Sequence, residues 1–379
     1  MRRRGFTLIE VLVAVAILAV VIAGISGLLV QQSQLFAKQQ LQRALEENGR
    51  LALLDLSRGV RQAGYGITPV AAFDFDRYAC ATPGTPATCP NGGRDRADGP
   101  DELVVSFRDP SFSRNAISLV GGGPWALTVD RPLTQVVRAG RVVQLLCAGA
   151  EPSAYVAVEA DAPAGSSTLL LRPLSSADGY YPLDGPADVC FAAATVMLVE
   201  RQRYFVQDDA FGVPCLFRER GRGGIELLER GIEDLQLTWQ IGPPPAGSPY
   251  AAGGATPVAL PETCAGVPGW IFGGCAGVAE TPSETAAPPD WRADPYDFPS
   301  RYDAHPTNVR AVTITVVARS LQETPDRTGD PLPALANRAA RPAGVFKRSV
   351  FSLTEQTPNL LSRAHFLPPV FATGNVGGG

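Results

Sequence analysis

Residues 6–30 read FTLIEVLVAVAILAVVIAGISGLLV, and twenty of these 25 positions are apolar. The exceptions are Thr7, Glu10, Gly24, Ser26 and Gly27. As a helix rising about 1.5 Å per residue, the segment reaches about 38 Å, enough to cross a hydrocarbon layer about 30 Å thick. Arg2, Arg3 and Arg4 precede it, whereas Lys38 is the one positive residue in the ten that follow. That asymmetry predicts a single pass with the N-terminus in the cytoplasm and the bulk of the protein outside.

The rod continues past the apolar run. The first proline is Pro69, and all 34 prolines lie at or beyond it, so an unbroken helix is permitted before that point and opposed after it. Residues 31–66 are more polar but keep a stripe of Leu41, Leu45, Ala52, Leu56, Val60 and Ala63, with Leu53 beside it. Steps of three, four and seven put these side chains on one helical face. Gly59, Gly64 and Gly66 read as stop signals. A helix from residue 6 to about 63 would be about 85 Å long, too long for burial inside a domain of this size. Its first half therefore belongs in lipid or among neighbouring subunits, its second half against a head.

Glu10 interrupts the apolar run, where a mid-bilayer charge costs about 2.5–3.5 kcal/mol and is usually functional. The run Arg4-Gly5-Phe6-Thr7-Leu8-Ile9-Glu10-Val11-Leu12 resembles the leader of type IV prepilins and type II secretion pseudopilins. The resemblance implies that residues 1–5 are a leader removed by a prepilin peptidase between Gly5 and Phe6, with Phe6 then N-methylated. It also implies that Glu10 pairs with the new amine of an adjacent subunit during assembly, a pairing that matches two charges otherwise costly in an apolar setting. Removing three arginines takes the net charge from −4 to −7, the amine aside. A twin-arginine export signal with cleavage near Ala14-Val15-Ala16 fits less well, because that site falls inside the apolar run.

From residue 67 onward, period-two runs between Gly/Pro turns predict strands at 103–107, 125–129, 142–146, 155–158, 168–172, 196–206, 215–218, 225–228, 235–241, 309–318 and 345–353. The alternation is cleanest at 309–318, with Thr313 and Thr315 on one face and Val312, Ile314 and Val316 on the other. The expected fold is α+β and pilin-like: a long N-terminal helix, half transmembrane and half amphipathic, packed on one enlarged antiparallel sheet system. The head spans 67–241 and resumes at 309–373. Residues 242–308 read as a Pro/Gly-rich insertion; from 242 to 306 they hold 13 prolines and 9 glycines, yet also Trp270, Trp291 and Phe298. Residues 374–379 read as a disordered tail.

The segments 98–107, 226–237, 309–318 and 346–353 resemble minor pilins of the PilW type. The resemblance implies a subunit of pilus assembly, priming and tip structure, supporting adhesion and twitching-type motility. Its implied partners are other minor pilins, the major pilin, the prepilin peptidase/methylase and a tip adhesin. Its location would be the inner membrane with a periplasmic head, then the extracellular pilus. A minor pseudopilin of a type II secretion system fits the same leader, and a pilus-borne receptor for DNA or surface ligands is a third reading.

The cysteines suit an exported head, since none of the seven lies in the rod. Cys80/Cys89 and Cys264/Cys275 are close pairs within irregular segments, and Cys147/Cys190 forms a third, leaving Cys215 odd; spacing alone leaves the connectivity open. No C-x₂₋₄-C spacing for zinc is present, and His305 and His365 are the only histidines. The sequence lacks G-x-S-x-G, H-E-x-x-H and P-loop motifs, so no enzyme, cofactor or metal is expected. The acidic group Asp95, Asp98, Asp101 and Glu102 reads as a turn before a strand, and RERGRGG at 218–224 as a hairpin turn. A net charge of −4 gives no footprint for nucleic acid.

Overall fold

The computed structural model describes residues 8–74, 99–122, 124–147, 153–175, 178, 194–221, 224–242, 270–272, 306–324, 327–336 and 338–364. It opens with one uninterrupted helix, α1 (Leu8–Gln62), of 55 residues and about 82 Å by the usual rise. Its C-terminal half is the covered half: Leu45, Ala52, Leu56 and Val60 are buried on one stripe, with Ala63 just beyond the end. Gly64 and Gly66 end the helix by taking φ of +76° and +68°, which side chains with a Cβ resist. The Gly64 N–H donates to the Ser106 carbonyl at 2.9 Å. Gly59, by contrast, does not stop anything. It is buried within the helix, where the Tyr204 ring fills the space a Cβ would need.

Thirteen described strands follow: β1 (Leu103–Arg108), β2 (Arg114–Val120), β3 (Trp125–Val129), β4 (Val142–Leu146), β5 (Ala154–Val158), β6 (Thr168–Arg172), β7 (Thr195–Asp208), β8 (Pro214–Arg220), β9 (Ile225–Arg230), β10 (Ile232–Ile241), β11 (Trp270–Phe272), β12 (Val309–Arg319) and β13 (Arg348–Gln356). A short helix, α2 (Pro358–Leu361), comes last. All described strand pairings are antiparallel. The fold is α+β, an apolar N-terminal helix followed by a large β head.

The head is not one continuous sheet. Strand β7 is the spine, 14 residues long, and its two halves serve two structures. Its first residues pair with β4 on one side and, through Arg114↔Val196 and Asn115↔Thr195, with β2 on the other. Because β2, β3, β6, β5 and β4 pair in that order, the β2–β7 contact closes a six-stranded barrel. Inward-facing Leu127, Val129, Val143, Leu145, Val156, Leu169, Leu171, Val196 and Leu198 fill it. Its later residues pair with β1 and β8, and β8 with β9, making an open sheet.

A second sheet has the order β11-β10-β12-β13. The chain passes between the sheets at Gly231, whose φ is +74°. Its N–H donates to the Pro214 carbonyl beside β8, and its carbonyl accepts from the Arg319 N–H at the end of β12. One residue thus belongs to both sheets, and a Cβ there would lie 2.5 Å from the Arg319 carbonyl oxygen. Between the sheets lies the main core, where Leu45, Ala52, Leu56 and Val60 meet Tyr204, Leu216, Leu235, Leu237, Ile314 and Val316.

Candidate assembly helix and its seat on the head

Residues 8–36 of α1 are exposed throughout. Its best 18-residue window has mean hydropathy 3.0 with none of it buried. Leu8 is 85% exposed and Phe36, seven turns and more along, is still 64% exposed. A helix apolar on all sides is stable only inside a protein core or a membrane. Glu10 lies in the first turn of the described helix and is exposed.

The other half is seated by apolar packing and a few directed polar contacts. Ser57 Oγ donates to Glu355 Oε2 at 2.6 Å, and Arg61 reaches the same carboxylate at 2.9 Å. The Arg61 hydrogen bond holds the Glu355 carboxyl below its usual 4.5. Asn48 Nδ2 donates to the Arg230 carbonyl at 2.9 Å, covering a carbonyl of β9. At the helix end, Asn359 Nδ2 donates to the carbonyls of Arg61 and Ala63, at 2.9 and 3.1 Å. These are two of the carbonyls that a helix terminus leaves without partners.

The barrel is fastened just beyond that terminus. The Thr68 N–H donates to the Tyr155 hydroxyl oxygen at 2.9 Å, Gln144 Nε2 donates to the same oxygen at 3.0 Å, and Thr68 Oγ1 lies 2.7 Å from it. Burial pushes the Tyr155 phenol upward in pKa. Around this knot Ile67, Ala71, Val142 and Val199 form a small apolar cluster. The barrel therefore sits at the end of the rod opposite the uncovered apolar half.

Of the residues singled out in the sequence, Gly5 and Phe6 lie outside the described residues, as do Cys80, Cys89, Cys190, Cys264 and Cys275. Cys147, at the end of β4, is disulfide-bonded, and its partner lies outside the described residues. Cys215 is free and buried; its Sγ donates to the Val213 carbonyl at 3.2 Å. Asp101 is buried, with Oδ2 accepting from the Leu237 N–H at 2.7 Å, so this one residue ties the start of β1 to β10, while Asp95 and Asp98 lie outside the described residues. In the 218–224 segment, residues 218–220 end β8, which pairs with β9, and Arg218 Nη2 is paired to Glu226 at 2.8 Å; Arg222 and Gly223 lie outside the described residues. The residues that seat the helix through small size, Gly49 and Gly59, carry a readable signal: both fall on the Leu45–Ala52–Leu56–Val60 stripe. Tyr155 and Glu355 carry none, because each meets its partner across a long stretch of chain.

No curated protein and no solved structure matches the chain. Residues 1–26 match the protein-family profile described as the prokaryotic N-terminal methylation motif, a prepilin-type signature. With a membrane-length helix left bare at one end and docked at the other, that motif supports a structural subunit of the type IV pilin or pseudopilin kind, anchored by α1, processed by a prepilin peptidase and assembled with other pilins.

Proposed function

We propose that the protein is a minor type IV pilin of the PilW type, which primes pilus assembly and is carried near the pilus tip. Residues 1–5 are its leader, cleavage falls between Gly5 and Phe6, and Phe6 is N-methylated. Residues 6–30 wait in the inner membrane and then transfer into the filament core, where Glu10 pairs with the amine of a neighbouring Phe6 and sets register. The observation that carries this reading is the single rigid α1. Its bare apolar half and its docked half form one continuous helix, so the head is held at a fixed height above whatever surrounds the bare half.

The barrel at the far end is then presented outward, where other minor pilins, the major pilin or a tip adhesin would meet it. Residues 242–308 are an insertion between β10 and β12, and its described stretch Trp270–Phe272 pairs with β10. The Cys147 bond is assigned to Cys190, with Cys80–Cys89 and Cys264–Cys275 as the remaining bridges. A minor pseudopilin of a type II secretion system shares every feature of the rod, and the genes beside this one separate the two readings: pilus motors in one case, secretion-channel components in the other.

The test is the mass of the native N-terminus. The expected product begins at methylated Phe6, and the Gly5→Val variant keeps the full leader. Mature protein that still begins at Met1 removes the proposal.

A further inference from the structure

Several strand ends of the head meet α1 at one level. Asn48 of the helix bonds the Arg230 carbonyl at the end of β9, and the ring of Phe351 in β13 fills the space beside Gly49. Arg319 at the end of β12 pairs with Arg348 of β13 and donates its N–H to the Gly231 carbonyl. The β7–β8 turn, residues 209–213, closes beside them, because the Gly231 N–H donates to the Pro214 carbonyl. This edge of the head faces the apolar half of α1 and lies opposite the barrel. It carries Phe211 at the tip of the turn, 82% exposed, more than any other large apolar side chain of the described head. The turn is locked: Asp209 Oδ1 accepts from the N–H groups of Phe211 and Val213, at 2.8 and 3.0 Å, and Gly212 takes φ of +73°. Leu321, 47% exposed, also stands beside Gly231, its Cδ2 3.2 Å from the place a Cβ there would take.

We propose that this edge is a membrane-contact surface. While the subunit waits in the bilayer, Phe211 and Leu321 enter the headgroup layer on the side that carries the head, and so fix the tilt of α1. The inference rests on the reading that residues 6–30 span the membrane, and adds a second point of attachment to it. Height favours lipid as the occupant. The apolar run ends at Val30, Gln31-Gln32-Ser33-Gln34 follow, and Ala37 is the first residue of α1 that is half-buried. From Val30 to Ala37 the helix climbs about 10 Å, whereas the headgroup layer is about 5–8 Å deep on each side. Residues 319–323 line one groove with Ala37, Leu41 and Asn48, so the edge stands just above the headgroups when α1 is upright. A tilt of about 20°, ordinary for a spanning helix, closes that gap on the side of the head. Because α1 is one continuous helix, contact at the edge sets the angle of the span. Phenylalanine and leucine are side chains that settle at this depth. Residues 319–348 hold six cations against three anions in a chain of net charge −4, so this connection is not repelled by an anionic leaflet.

The experiment places a coumarin amino acid at one position at a time in the full-length protein, reconstituted in vesicles of phosphatidylethanolamine and phosphatidylglycerol. Quenching is read with a nitroxide on the lipid headgroup. Labels replacing Phe211 and Leu321 are expected to be quenched several-fold more than one replacing Val120, which is exposed on the barrel. Quenching at either site no greater than at Val120 overturns the proposal. A label at Val20, read with a nitroxide on the acyl chain, keeps the two readings apart. Quenching at Val20 without quenching at Phe211 and Leu321 overturns the contact surface alone. No quenching at Val20 means that α1 does not span, and the membrane reading falls together with the contact surface.

Discussion

Gly59 of α1 lies directly under the ring of Tyr204 in β7: a Cβ built on Gly59 would sit 2.9 Å from Cε2 and 3.0 Å from the hydroxyl oxygen. The Tyr204 ring cannot swing aside freely, since it is 1% exposed and its hydroxyl donates to Gln202 Oε1 at 2.9 Å. This contact sets the distance between the helix and the open sheet.

Two effects of opposite sign therefore meet in Gly59→Ala. Helix propensity favours the alanine by about 1 kcal/mol, whereas an extra methyl in a filled site costs about 1–3 kcal/mol. The close approach decides it, and Gly59→Ala is expected to lower the melting temperature of the detergent-solubilised full chain. Gly24 and Gly27 have nothing within 4 Å of a built Cβ. Gly24→Ala is expected to leave that melting temperature unchanged or raise it. A stable Gly59→Ala protein would mean that the seat is looser than the packing shows.

The Glu355 contact makes docking of the helix sensitive to acid. Hydrogen bonding from Arg61 and Ser57 lowers the Glu355 pKa in the folded protein, so its contribution is present at neutral pH. That contribution is lost as pH falls below 4.5 through the lowered folded value. Wild type is expected to lose stability over that window more steeply than Glu355→Gln, and the two melting curves converge at the acid end. Arg61 is exposed, so the difference is small. Parallel pH profiles would remove the role of this carboxylate.

Tyr155→Phe takes the shared acceptor from Thr68 and Gln144. Leaving such groups without a partner costs about 1–3 kcal/mol. The loss should appear as faster hydrogen exchange at residues 67–72 and in β4 and β5, with α1 unaffected at Leu45–Leu56. Uniform acceleration along the whole head would show instead that the barrel is not fastened at this point.

Glu10→Ala should leave cleavage and membrane insertion intact while reducing recovery in filaments, because the charge acts only when a neighbouring amine needs a partner. Recovery at the wild-type level contradicts the assembly role of Glu10.

The expected strands at 125–129, 142–146 and 168–172 coincide with β3, β4 and β6, since each is a short apolar alternation between turns. Strand β2 was not legible in the same way. It begins with Arg114, and a register shift between Ala116 and Ser118 breaks its alternation. The last strand runs three residues later than its apolar stretch suggests, through Thr354, Glu355 and Gln356. Those polar residues read as a strand end, but Thr354 bonds across to Thr313 and Glu355 meets the helix.

The sequence alone determined the rod, its division into a bare and a seated half, and its processing motif, because helical period, absence of proline and residue order are local properties. Closure of the barrel through two β2–β7 pairs, the passage of the chain between sheets at Gly231, and the choice of Tyr204 as the partner of Gly59 were decided only in three dimensions. Each joins residues far apart in the chain, and the energy that selects one such pairing over another comes from contacts that do not exist until the rest of the head has packed.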